Sequence, residues 1–155
     1  LLLSLLFPLF IFAQNPDVYI QKYQGIAISE MHRSGVPARI TLAQGILESA
    51  SGTSKLAVKG RNHFGIKCTP DWPGGCILRK TMKFRKYDRV EDSFRDHSNF
   101  LADRSRYDFL FRYKKTDYKK WAKGLRKAGY ARDRRYPKKL ISLIERYKLN
   151  KFDKR

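Results

Sequence analysis

Helical periodicity runs along most of this chain but stops between Phe64 and Tyr87, and that interruption limits the folds available. Gly65, Pro70, Pro73, Gly74 and Gly75 punctuate the stretch, while Ile66, Cys68, Ile77, Leu78, Met82, Phe84 and Tyr87 give it apolar positions. This pattern predicts a small β-hairpin or irregular β-lobe. Upstream, Asn15 and Pro16 are an N-cap and first-turn signal, and Ile20, Tyr23, Ala27 and Met31 follow at helical spacing. Gly35 stops that helix near Ser34. Pro37 starts a second helix running to about Glu48 or Ala50, and Ser54 to Lys59 adds a turn or two closed by Gly60. Downstream, Phe94, His97 or Ser98, and Leu101 mark a helix. Thr116 is placed to cap another carrying Trp121 and Leu125, and Leu140, Ile144 and Tyr147 mark the last. No internal repeat, low-complexity linker or second domain is visible. The expected fold is α+β and predominantly α, a helical body with a small β-hairpin lobe and a cleft between them.

A chain of 155 residues is one ordinary domain. Its first 13 residues, LLLSLLFPLFIFA, are almost wholly apolar and uncharged. They are too short for a membrane-spanning helix, which needs about 20 apolar residues. They match the apolar part of a secretory signal, with Ala13 as a small residue at the cleavage point. The expected division is thus a partial, cleaved signal over 1–13 and one domain over 14–155. Export to the periplasm or the extracellular space follows, without a stable membrane anchor. Cys68 and Cys76 flank the turn TPDWPGG, and an exported protein meets oxidising conditions, so a disulfide clasp is expected there rather than two free thiols. Two cysteines and a distant His63 are too few for a closed zinc site, which takes about four ligands, and no metal is expected.

Lysines and arginines outnumber acids by 34 to 14, and residues 101–155 hold 20 of the basic side chains against 6 acidic ones. That field draws in polyanions. Nucleic acid is not expected, because the signal argues against it and no nucleic-acid-reading motif is present. Anionic membrane and an acidic cell wall remain.

Residues 43–57, AQGILESASGTSKLA, form a short helical stretch carrying Glu48 at its end and breaking at Gly52. Ala43, Ile46 and Leu47 give it an apolar face, so Glu48 lies beside packed surface. A carboxyl against apolar neighbours has its charged form disfavoured, which suits it to general-acid work, although a net charge of +20 pulls the other way.

Four blocks carry a family resemblance: AQGILESASGTSKLA, NHFGIK (62–67), FRKYDRVEDSFRDHSNFL (84–101) and AKGLRKAGYARD (122–133). In that order they resemble the glucosaminidase-type peptidoglycan hydrolases, glycoside hydrolase family 73, with the last two blocks most similar to Bacteroidota-type members. The resemblance covers about Asp17 to Leu149. It implies a lysozyme-like fold and endo-hydrolysis of the β-1,4 bond on the reducing side of N-acetylglucosamine in peptidoglycan, without cofactor, by a monomer acting on glycan strands. It places the catalytic acid at Glu48 and an auxiliary tyrosine at Tyr130. Arg132 and Arg134 depart from the threonine and proline usual near that tyrosine, and Ala50 stands where glycine is common.

The partner of Glu48 is open on sequence. Asp71 is the only acid between Glu48 and Asp88, and a turn aspartate commonly bonds its own backbone. Glu91, Asp92 and Asp96 fit capping or surface roles. The substrate's own 2-acetamido group is the alternative nucleophile, oriented by Tyr130. Asn62 offers an amide to sugar groups or terminates the preceding turn, Phe64 offers a ring for stacking, and His63 and His97 read as structural. Two rival functions stand beside the glucosaminidase: a muramidase or lytic transglycosylase of the same fold, and a non-catalytic wall-binding module.

Overall fold

The computed structural model describes residues 15–154; the apolar segment read as a secretory signal lies outside them. Helix α1 spans Pro16–Ser34, with the Asn15 side chain accepting from the Asp17 N–H and Gly35 closing it in the left-handed conformation at φ 83°. Helix α2 (Ala38–Ser49) starts after Pro37, and α3 (Lys55–Gly60) starts at Ser54, whose hydroxyl accepts from Ala57 N. Strands β1 (Cys76–Arg79) and β2 (Met82–Arg85) form an antiparallel hairpin pairing Ile77 with Phe84 and Leu78 with Lys83. Helices α4 (Val90–Ala102), α5 (Tyr118–Lys127) and α6 (Tyr136–Arg146) follow. Among the described residues no helix is long and apolar enough to cross a membrane.

The sequence reading placed the fifth helix's cap at Thr116, and the structure moves it one residue: the Asp117 carboxylate accepts from Lys120 N. Two 3-10 segments, Ser105–Arg112 and Leu149–Lys154, were not foreseen.

Helix α2 is the axis of the body. Every residue from Ala38 to Ile46 is buried, with α1, α5, α6 and the final 3-10 segment packed around it. A helix covered on all sides needs a partner for each polar side chain it carries. Arg39, 3 % exposed, finds Asp153: its backbone N–H donates to one carboxylate oxygen at 2.9 Å and its Nε to the other. Its remaining guanidinium nitrogens reach the carbonyls of Thr116 and Asn150. The C-terminal segment is thereby fastened to the core by an ion pair with both side chains out of solvent.

The lobe is held to the helices at its base. Asn62 donates both amide hydrogens, to Ile66 O and Arg85 O, each at 2.9 Å. Arg85 crosses to α4, where Asp96 takes its guanidinium at 2.8 Å and also accepts from the Tyr87 hydroxyl. The same guanidinium lies 4.3 Å from the Trp72 ring centroid. Cys68 and Cys76 are joined, Cα to Cα 6.3 Å, closing the TPDWPGG turn. A loop this short stabilises by about 2–3 kcal/mol in the chain-entropy account.

Asp153→Ala leaves a buried Arg39 charge without its partner. The expected cost is about 3–5 kcal/mol, read as a lower urea midpoint at unchanged slope. A midpoint equal to wild type shows that the pair does not hold the C-terminal segment.

Candidate active site

Glu48 sits in the last turn of α2, where the helix leaves the core. The chain then turns through three consecutive left-handed residues, Ala50, Ser51 and Gly52, at φ 51°, 54° and 81°. Ser49 holds the turn from inside: its hydroxyl donates to Gly45 O at 2.5 Å and accepts from Gly52 N at 2.7 Å. Gly52 rests against Tyr19 and His63, which share a 2.9 Å hydrogen bond between the Tyr19 hydroxyl and His63 Nδ1.

The turn delivers Glu48 into a cleft of about 560 Å³ between lobe and helices, a volume in the usual range for ligand sites. Lys67, Arg79, Met82 and Phe84 line the lobe side, and Phe100, Arg104, Arg106, Tyr107 and Tyr130 line the helical side. The Glu48 side chain is open to the cleft, yet protein surrounds it closely enough to strip away bulk solvent. That desolvation holds its pKa above the ordinary carboxylate value, against the downward pull of the neighbouring Tyr136 hydroxyl and the charge of Lys139. Its place at the negative end of the α2 dipole acts in the same upward direction. Local desolvation thus outweighs the basic background.

Tyr130 lies on the cleft wall beside Glu48, packed among His97, Phe100, Tyr107 and Tyr136. Its hydroxyl is buried and has no partner, and burial with the nearby Glu48 and Tyr136 holds its pKa well above the usual tyrosine value. Glu48 and Tyr130, 82 positions apart in the chain, therefore meet at one site.

The other candidates are placed differently. Asn62 is 1 % exposed and its amide is fully engaged by the lobe's backbone, so it supports the wall instead of touching a sugar. Phe64 lines the floor at 3 % exposure, with its face stacked on His97 at 3.9 Å and its ring against Phe94. No free face is left for a sugar. Asp71 is exposed on the clasped turn, kept below the usual carboxylate range by the neighbouring Thr69 hydroxyl and its own backbone N–H, and it does not line the cleft. Burial drives His63 down to about 4 and His97 to about 3, so both are neutral near pH 7. Among the described residues no cluster of His, Cys, Asp or Glu is arranged to hold a metal.

Sequence reasoning missed Gln44 and Tyr136. Gln44 Nε2 donates to the Tyr136 hydroxyl at 2.9 Å, and Gln44 Oε1 lies 3.1 Å from His97 Nε2. The one available signal was spacing: Gln44 and Glu48 are four apart on one helix and so share a face. It also missed the cleft cations Lys67, Arg79, Arg104 and Arg106.

Comparison with known proteins identifies the family and the fold. The family described as mannosyl-glycoprotein endo-beta-N-acetylglucosaminidase matches residues 24–149. The chain is 33 % identical to the exo-glucosaminidase LytG of Bacillus subtilis over 88 % of its own length and 53 % of that protein. It is 27 % identical to the peptidoglycan hydrolase FlgJ of Vibrio parahaemolyticus, over 85 % of the chain and 47 % of the relative. The chain thus spans about half the length of these curated relatives. Among solved structures, a peptidoglycan hydrolase from Sphingomonas sp. A1 superposes with TM-score 0.75 at 28 % identity, covering 87 % of this chain and 91 % of that one. The glycoside hydrolase domain of Salmonella typhimurium FlgJ gives 0.72 at 28 % identity, with 86 % and 89 % covered.

Because the folded pKa of Glu48 is raised, its contribution to stability is full below the unfolded carboxylate value and declines as pH rises through the folded one. Glu48→Gln carries no such loss. Its thermal midpoint at pH 7 is expected to equal or exceed that of wild type, with the difference closing towards pH 4. A variant clearly less stable at pH 7 contradicts a desolvated Glu48.

Proposed function

The chain belongs to this glucosaminidase family, and on that premise we propose that it hydrolyses the β-1,4 bond on the reducing side of N-acetylglucosamine in peptidoglycan, with Glu48 as general acid. One observation carries the reading: Glu48 is the only carboxylate among the cleft's lining residues, and desolvation holds its pKa above the ordinary carboxylate value. An alkoxide is too basic to depart unaided, so the leaving oxygen needs that proton.

The lack of a second carboxylate on the wall favours the substrate's 2-acetamido group as nucleophile. Glu48 gives its proton to the glycosidic oxygen as the C1–O bond breaks. The acetamido carbonyl oxygen closes on C1 to form an oxazolinium ion. Water then attacks C1, losing its proton to the Glu48 carboxylate, and the ring reopens with the anomeric configuration retained. Tyr130 stands on the wall beside Glu48 with a buried hydroxyl that no protein group holds, and we read it as orienting the acetamido group once its side chain turns that hydroxyl into the cleft. Asp71, exposed and kept ionised outside the cleft, has no part in this scheme.

The cleft's charge bears on the substrate. Lys67, Arg79, Arg104 and Arg106 surround one acid, and none of the four is ion-paired among the described residues. Peptidoglycan carries lactyl and peptide carboxylates, whereas chitin is neutral. Lysines on α5 and α6 extend the basic surface outward, and we read that face as docking on whole wall. The enzyme is proposed to act after export, as a monomer, since one chain forms the whole cleft.

Glu48→Gln is expected to lose about 10²–10⁴-fold in wall digestion while folding normally. Digestion near the wild-type rate removes Glu48 from the mechanism. New reducing ends on N-acetylglucosamine are expected from wild type; reducing or anhydro muramic ends identify the rival muramidase or transglycosylase, and no new ends identify a binding module.

Arg106→Gln is expected to raise KM several-fold for a carboxylated muropeptide oligomer and leave a neutral N-acetylglucosamine oligomer nearly unchanged. That selective effect should shrink between 0.15 M and 1 M salt, where the screening length falls from ~8 to ~3 Å. Equal effects on both substrates show that the cleft cations do not select charge.

A further inference from the structure

We propose that Tyr136 is a positioning residue for Glu48, and that Gln44 and His97 complete a buried hydrogen-bond chain fixing where that carboxyl points. The inference rests on the reading of Glu48 as the acid. Three of its four members are almost out of solvent: His97 and Gln44 are 0 % exposed and Tyr136 is 3 % exposed. Only Glu48, at the chain's end, meets the cleft.

The direction of each bond follows from the inventory of donors and acceptors. Gln44 Nε2 donates to the Tyr136 oxygen at 2.9 Å. Gln44 Oε1 is therefore left to accept, and the group 3.1 Å away is His97 Nε2, which must carry the hydrogen. Burial keeps His97 neutral, so its Nδ1 is a bare acceptor, consistent with its having no partner in the core. With its oxygen already accepting from Gln44, Tyr136 is free to direct its own O–H elsewhere. One helical turn beyond Gln44, on the same face of α2, stands Glu48, the group towards which the proposal directs that O–H. Helices α4, α2 and α6 each contribute, and 53 and 92 residues separate the bonded pairs.

Such a chain does two things to the acid. It stiffens the carboxyl against rotation in an otherwise open cleft, and a misplacement of about 1 Å can reduce turnover ~10²-fold. It also donates to the carboxylate, which is the form that must accept water's proton in the second half-reaction. The other groups facing Glu48 are Lys139 on α6, which favours ionisation, and Tyr130 and Tyr107 on the helical wall. Lys67 and Arg79 from the lobe and Arg104 and Arg106 beyond α4 complete the surroundings. None of these changes in Tyr136→Phe, which removes one oxygen and keeps the ring packed 5.9 Å from Tyr130.

The test combines kinetics with a direct view of the carboxyl. In Tyr136→Phe, kcat is expected to fall roughly 10- to 100-fold with little change in KM, and the alkaline limb of the pH–rate profile should move to higher pH. Carbon-13 NMR of the Glu48 side chain should show its titration displaced upward in the same variant. Gln44→Met, which keeps the tyrosine but frees its hydroxyl, should show a smaller displacement of the same sign. Nitrogen-15 spectra of wild-type His97 should show the Nε2–H tautomer. An Nδ1–H tautomer, or a Glu48 titration unmoved in both variants, overturns the chain. A displaced titration in a protein whose wild type leaves wall uncut upholds the chain and overturns the enzymatic reading, so the two failures are distinct.

Discussion

Burying α2 on all sides dictates most of what surrounds it. Nine consecutive residues from Ala38 to Ile46 lie out of solvent, and three of them carry polar side chains that water cannot satisfy. Arg39 pulls the C-terminal segment across the core through Asp153. Gln44 draws His97 of α4 and Tyr136 of α6 into contact. Thr41 keeps an unpartnered hydroxyl, and nothing in the structure accounts for it. The helix ends at the boundary between core and cleft, so Glu48 inherits a rigid base and a solvent-facing head. That is the arrangement a proton donor requires: fixed position, reduced hydration and room for a substrate.

The lobe supplies the second wall by a different means. A two-stranded hairpin is marginal alone in water, and here ionic and amide contacts at its base substitute for a deep core. Arg85 ties the second strand to Asp96, and Asn62 sews the lobe's backbone to the segment leaving α3. The disulfide shortens the connecting turn. The lobe and the helical body thus enclose Glu48 from two sides, with Lys67 and Arg79 on one wall and Arg104 and Arg106 on the other.

Much of this was legible before any coordinates. Capping and helix-stop residues mark the ends of α1 and α2, because Asn15, Gly35 and Pro37 act through local backbone chemistry. The loss of helical period at 64–87 located the lobe for the same reason, and Glu48 and Tyr130 stood in recognisable blocks. Asn62 stayed open between sugar contact and turn, and Phe64 was offered to a sugar, because an amide and a ring have the same composition whether they face sugar or core. Burial decides between those roles, and burial is tertiary. Tyr136 and Gln44 were illegible since their partners lie 53 and 92 residues away. The 3-10 segment at 105–112 has too little helical length to print a clear period.

The departures from the family pattern become physical statements once the turn after Glu48 is seen. Ala50 sits at φ 51°, where a side chain costs about 1–2 kcal/mol and glycine is nearly free. The preference for glycine at that position thus has a backbone cause, and the alanine here is tolerated because the turn is anchored around it. Ser51 N donates to Ile46 O, Thr53 Oγ1 donates to Ala50 O, and Ser49 grips Gly52. Arg132 and Arg134 differ in kind, because both are exposed. The surroundings of Tyr130 are built by His97, Phe100, Tyr107 and Tyr136 instead. Substitution next to it in sequence therefore leaves these packing partners in place and adds exposed positive charge, of the same sign as Lys67 and the three arginines that line the cleft.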